Sequence, residues 1–174
     1  MTQCNHLYET DAVSAFRVTF DNAKKKSMND SSIFSRVSRT SQALYGPRKL
    51  LICGFTAEGQ AFLDDVITAL AIAELALVYA SSSDLEISLK DILSQPENSG
   101  RGKASRMPAA IVMAGIAENE LHQLMTSYRN AGLPNPLWAT LTPTSEHWTL
   151  RQLLTELSAE RKALEKEPPA GKKD

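Results

Sequence analysis

From Leu50 onward, apolar residues alternate between short unbroken runs and longer stretches at helical spacing. Lys49–Cys53 is such a run, closed by Gly54, and it predicts a buried strand. Phe62, Leu63, Val66, Ile67 and Leu70 recur three and four apart, which places them on one face of a helix. Leu75–Ala80 predicts a second strand, ended by Ser81–Ser83, and Ser88–Leu93 begins a short helix. Gln95–Met107, with Pro96, Gly100 and Gly102, reads as a linker.

The same order then returns. Ala109–Ala114 predicts a strand ended by Gly115, and Leu121, Leu124, Met125 and Tyr128 mark a helix face that stops at Gly132. Leu137–Leu141 predicts a fourth strand, and Leu150, Leu153, Leu154, Leu157 and Leu164 form the stripe of a last helix. The halves superpose without a gap at an offset of 61, which carries Gly54 onto Gly115, Leu63 onto Leu124 and Leu89 onto Leu150.

Strand–helix–strand units favour parallel pairing with right-handed crossovers. The expected fold is therefore α/β: two similar β-α-β-α halves forming a four-stranded, mostly parallel sheet with helices on its faces. The expected strand order is 2-1-3-4, with a switch point between the first and third strands. One domain spans 49–165, with pseudo-repeats 49–94 and 108–158 and a linker at 95–107. Residues 1–48 read as a flexible basic segment in which Ile33, Phe34, Val37 and Leu44 form one short docking helix, and 166–174 as a disordered tail. Met28 offers an alternative start of translation.

Composition narrows the function classes. The formal net charge is −1, so no overall field attracts nucleic acid or anionic lipid. Two cysteines, Cys4 and Cys53, make no disulfide framework, and a reducing cytoplasm is expected. The N-terminus lacks the pattern of a signal peptide, and the longest apolar run, Val66–Ala80, is too short to span a bilayer.

No catalytic or metal-binding constellation emerges, and no cofactor is expected. His6, His122 and His147 lack the spacing of a zinc site. Cys53 ends an apolar strand with no base beside it, as a structural thiol does. In open α/β sheets, ligands bind beyond the carboxyl ends of strands at the switch point. Gly54, Phe55, Thr56, Gly115 and Ile116 are therefore the default ligand-binding residues, although no glycine-rich phosphate loop occurs. Thr142 and Thr144, beyond the fourth strand, could bond a ligand or satisfy their own turn.

Ile87–Leu93 matches Trp148–Leu154 position for position, and both read as helix starts. Ser88 and Thr149 are expected N-caps, with Asp91 and Gln152 reaching back to complete capping boxes. Trp148, with His147 beside it, is the candidate anchor for a protein partner.

Ala139–Thr144, followed by Trp148-Thr149-Leu150, Leu153-Leu154 and Glu156, resembles the signature of a small bacterial family of unknown function, domain of unknown function three-seven-eight-three. The resemblance covers about Pro108–Glu160 and takes in the Ile111–Gly115 strand and Leu124, Arg129 and Gly132 of the following helix. Members typically carry Asn where this chain has Ser145, so a role for that amide does not transfer. The resemblance implies a bacterial origin and a single domain, and no activity.

Three functions are weighed. The first is a non-catalytic binding or regulatory domain that associates with a protein partner or with itself. Large apolar residues near turns expected to be exposed (Phe55, Ile116, Trp148) favour it. The second is a small-ligand binder or enzyme using a cleft at the carboxyl ends of strands 1 and 3. The third is a nucleic-acid adaptor acting through the basic segment 1–48.

Overall fold

The computed structural model describes residues 43–166. The elements run β1 (Lys49–Cys53), α1 (Ala57–Ala69), β2 (Ala76–Ala80), a 3-10 turn (Ser82–Asp84) and α2 (Leu89–Ser94). They continue with β3 (Ala110–Ala114), α3 (Glu118–Asn130), β4 (Leu137–Thr140), a second 3-10 turn (Ser145–His147) and α4 (Leu150–Lys166). The features expected in 1–42, the basic arm and most of the docking helix, lie outside the described residues, as do 167–174.

The strands form one mixed sheet in the order β2-β1-β3-β4. β1 pairs parallel with β2, and β3 parallel with β4, as β-α-β crossovers dictate. The central pair, β1 with β3, is antiparallel. Its register places Leu51 opposite Val112, residues 61 apart in sequence, with Lys49 opposite Ala114 and Cys53 opposite Ala110. Each half thus meets the other head to tail.

The two helix starts face each other in the same way. Ser88 and Thr149 form an isolated antiparallel bridge, with Leu89 N–H donating to Trp148 O at 2.9 Å and Leu150 N–H to Ile87 O at 3.1 Å. The expected hydroxyl caps are present: Ser88 Oγ accepts from Asp91 N–H and Thr149 Oγ1 from Gln152 N–H, both at 3.2 Å. The expected return arm from Asp91 to the cap amide is not made. Ser88 donates its hydroxyl to the Asp91 carboxylate instead, at 2.7 Å.

Both faces of the sheet are covered, which is why the inner strands are apolar at nearly every position. On one face Leu51, Val78, Val112 and Ala139 pack with Leu89 and Ile92 of α2 and Leu150, Leu153 and Leu154 of α4. The alternate strand residues, Leu50, Ile52, Ile111 and Met113, are fully or nearly fully buried on the other face, together with Leu63 of α1 and Leu124 of α3. Tyr128 of α3 stands edge-on to Trp138 of β4 and to Phe55, with ring centroids 5.4 and 6.5 Å away.

Candidate functional site

The antiparallel centre decides where the expected ligand residues go. Because Cys53 lies opposite Ala110 and Lys49 opposite Ala114, the carboxyl ends of β1 and β3 are at opposite ends of the sheet. Gly54, Phe55 and Thr56 therefore sit at one end, and Gly115 and Ile116 at the other. The single cleft expected at the ends of strands 1 and 3 does not form. An apolar run carries no sign of its direction, so the sequence pattern allowed either pairing.

Each turn is also crossed by the chain entering the other half's central strand. A Cβ on Gly54 would stand 2.3 Å from Met107 O and 2.5 Å from Pro108 O. A Cβ on Gly115 would stand 2.5 Å from Gly46 O and 2.6 Å from Pro47 C. Both glycines have left-handed backbone, with φ of 72° and 61°. Glycine is needed here for its φ and for close approach of a second backbone. Phe55 and Ile116, expected near exposed turns, are buried. Thr56 is the N-cap of α1, its hydroxyl accepting from Gly59 N–H at 3.1 Å.

The structure does bring Gly115, Ile116 and Thr142 to one end of the sheet. Leu44 N–H donates to Ile116 O and Gly115 N–H to Tyr45 O, while Leu141 N–H continues the β4 ladder to Met113 O. Thr142 closes its own turn: its amide donates to Ser145 Oγ and its Oγ1 accepts from Ser145 N–H, both at 3.0 Å. Ser81 and Asp84 make the same kind of turn 61 residues earlier, with Ser81 N–H donating to Asp84 Oδ2 at 2.7 Å. Ser145 thus fills a backbone-capping role that an Asn side chain could also fill. Thr144 is exposed on this turn. His147 is exposed too, its Nε2 3.2 Å from Glu146 Oε1, whereas Trp148 is half-buried against the core. A hydrogen bond to the Glu146 carboxylate raises the Tyr45 hydroxyl above its ordinary pKa.

Reactive groups are few. Cys53 is buried, and desolvation, aided by the Asp84 charge, raises its thiol to about 12, so it is no nucleophile at neutral pH. Among the described residues, no group of three or more His, Cys, Asp or Glu could hold a metal ion. Arg48 forks onto Glu120 at 2.6 and 2.9 Å and donates to Ala73 O at 2.9 Å, tying the start of β1 to α3 and to the turn before β2. That ion pair holds Glu120 below the usual carboxylate range.

Two features were missed by sequence reasoning. One is an open groove of about 700 Å³ beside β2, with Asp64, Glu74, Glu97 and Arg101 around Ile67 and Leu77. Asp64 accepts from Tyr79 Oη at 2.5 Å and from Arg101, and burial followed by the Asp64 bond raises the Tyr79 hydroxyl well above its ordinary pKa. The other is the outer edge of β4. The ladder turns the backbone of Leu137 and Ala139 toward β3, so Trp138 and Thr140 present theirs outward. Among the described residues, nothing donates to Trp138 O or accepts from Thr140 N–H. At the matching positions of β2, 61 residues earlier, Leu77 O accepts from Asn98 N–H at 2.7 Å and Tyr79 N–H donates to Ser99 O at 2.9 Å.

These features define a small mixed α/β domain of two halves that meet head to tail. Residues 109–164 match the model of a family described as Domain of unknown function (DUF3783). That match spans the second half from β3 nearly to the end of α4. No curated protein and no solved structure matches the chain. No described helix is long and apolar enough to cross a membrane.

Proposed function

We propose that this chain is a non-catalytic association domain that binds another polypeptide. The observation that carries the reading is the contrast between closed turns and an open edge. Both positions where an α/β sheet would hold a small ligand are occupied by crossing backbone at Gly54 and Gly115. The outer edge of β4, by contrast, leaves backbone donors and acceptors unpaired among the described residues, and such edges recruit strands. The site residues offered to a partner are then Trp138 and Thr140, with Thr144, His147 and Trp148 on the adjoining turn. Two packed halves of one design, an internal repeat in this reading, supply a rigid platform for that edge.

A second reading has one observation in its favour. The groove beside β2 is large enough for a small molecule, and Asp64, Glu74 and Glu97 would favour a cationic one. Native mass spectrometry of the full chain from its own cells at low salt separates the readings. A complex with a polypeptide and no retained small molecule is expected. A retained small molecule without a polypeptide partner overturns the association reading.

A further inference from the structure

We infer that the surface between the two halves also recognises a second copy of this chain: two copies exchange halves and form a twofold dimer. Each domain of that dimer takes β1 to α2 from one copy and β3 to α4 from the other. The observation behind it is the symmetry of the contacts between the halves. In a twofold interface, where one residue meets a second, the counterpart of the second meets the counterpart of the first. Three separate contacts obey this rule at an offset of 61. Lys49 lies opposite Ala114, and Cys53 opposite Ala110. Leu89 N–H donates to Trp148 O, and Leu150 N–H to Ile87 O. Met107 and Pro108 cross Gly54, as Gly46 and Pro47 cross Gly115. One chain thus carries both sides of an interface of the kind that joins two.

Each half by itself has two strands, too few for independent stability, and its inner strand is paired by the other half. A half parted from its neighbour needs a complement, and a second copy carries an identical one. Two ion pairs make that complement specific. Arg48–Glu120 and Arg151–Glu86 both cross between the halves. The matching positions hold Ala109 with Gly59 and Lys90 with His147. Two second halves would set Arg151 against His147 and Glu120 against Ala109, so a second half selects a first half.

The hinge is residues 103–106. Upstream, Gly102 N–H donates to Gln60 Oε1 at 2.8 Å and Lys103 O accepts from Gln60 Nε2 at 3.3 Å, which ties the connector to α1. Downstream, Met107 and Pro108 lie against Gly54. Between them Lys103, Ala104 and Arg106 are exposed, and Ser105 Oγ turns the chain back by accepting from Met107 N–H at 3.2 Å. Straightening that one turn sends the second half to another copy and leaves both halves unaltered.

The closed and exchanged forms share their contacts outside the hinge, so chain concentration decides between them, with the balance at about 1 mM for a short connector. The test mixes full chains of two isotope masses in urea at about 1 mM, removes the urea, dilutes to about 1 µM and records native mass spectra. The expected product is a dimer with one chain of each mass that survives dilution, because its return to monomer requires the halves to part. A second mixture locates the contact: one chain carries Ser88→Cys, the other Thr149→Cys, and both carry Cys4→Ser. Residues 88 and 149 form a non-hydrogen-bonded pair, with Cα atoms about 4.5 Å apart as a disulfide needs. A disulfide from 88 of one copy to 149 of the other should form after urea removal. Deleting Ala104 and Ser105 strains the closed hinge and should raise the dimer share at about 0.1 mM by about tenfold. Should that variant fail to fold, the wild-type dimer and the disulfide still decide. Monomer alone at the highest concentration, a dimer that falls apart on dilution, or a dimer without the 88–149 disulfide overturns the inference. Each of these outcomes leaves the association reading standing, because that reading concerns a different polypeptide.

Discussion

The two halves of this domain share an order of elements, a register and a pair of capped helix starts, yet they finish differently. After α2 the first half breaks at Pro96 and lays Asn98 and Ser99 along β2. After the matching point the second half continues as helix through Leu157, which is buried, and β4 keeps a bare outer edge among the described residues. One position thus separates a half that turns back along its own sheet edge from a half that continues as helix. Proline has no N–H to give a helix and its ring crowds the preceding turn, so the helix must end there. Leucine at the matching position adds apolar area to the core and lets the helix extend.

The glycines at the turns test the shared part of the design. Gly54→Val and Gly115→Val each place a Cβ into backbone from the other half, at a φ that β-branched residues do not tolerate. Each should cost about 3 kcal/mol or more, measured by urea denaturation. A large effect in one half only would show that the halves are not equivalent at their centre.

The point of divergence tests the difference. Leu157→Pro should shorten α4 and destabilise the domain by about 3 kcal/mol. Helical circular dichroism should fall with it, whereas an unchanged spectrum would mean that the last helix tolerates the break. The cover on β2 offers a smaller perturbation. Gly100→Ala meets Tyr79 O and should cost about 2 kcal/mol while accelerating exchange of the Tyr79 amide. Gly102→Ala has positive φ but nothing within 4 Å, so about 1 kcal/mol is expected and the Tyr79 amide should stay protected. Equal exchange in the two variants would mean that Ser99 does not guard that edge.

The smallest effect concerns the Arg48–Glu120 fork, which has no counterpart because Ala109 and Gly59 occupy the matching positions. Bonding to Arg48, and next to the Ala117 amide, lowers the Glu120 carboxyl in the folded chain. Its stabilisation is therefore present above the unfolded carboxyl pKa of about 4.3 and is lost as pH falls through the lower folded value. Glu120→Gln should cost about 1 kcal/mol at neutral pH, with the gap to wild type closing in acid. A gap that persists at low pH would show that the carboxylate charge is not what matters.

Much of the fold was legible in the residues. Lys49–Cys53 and Ala110–Ala114 are too short and too apolar to be surface helices. The 61-residue match of Ser88 with Thr149 located two helix starts, and Gly54 and Gly115 marked the strand ends. The site was less legible. Phe55 and Ile116 looked accessible because they follow turn glycines, but the chain that buries those turns comes from residues 46–48 and 107–108, distant in sequence. The edge of β4 carries no residue signature at all, since its donor and acceptor are backbone groups. Likewise the groove beside β2 depends on Arg101 of the linker reaching Asp64 of α1.

The sequence by itself determined the elements, their order, their caps and where each half breaks, because periodicity, proline, glycine and hydroxyl caps act over a few residues. Tertiary structure alone decided that β1 and β3 run antiparallel, that both switch-point turns are closed, and that Asn98 and Ser99 cover the β2 edge. Those outcomes depend on how two nearly equivalent apolar surfaces meet, and apolar burial is proportional to area and blind to strand direction.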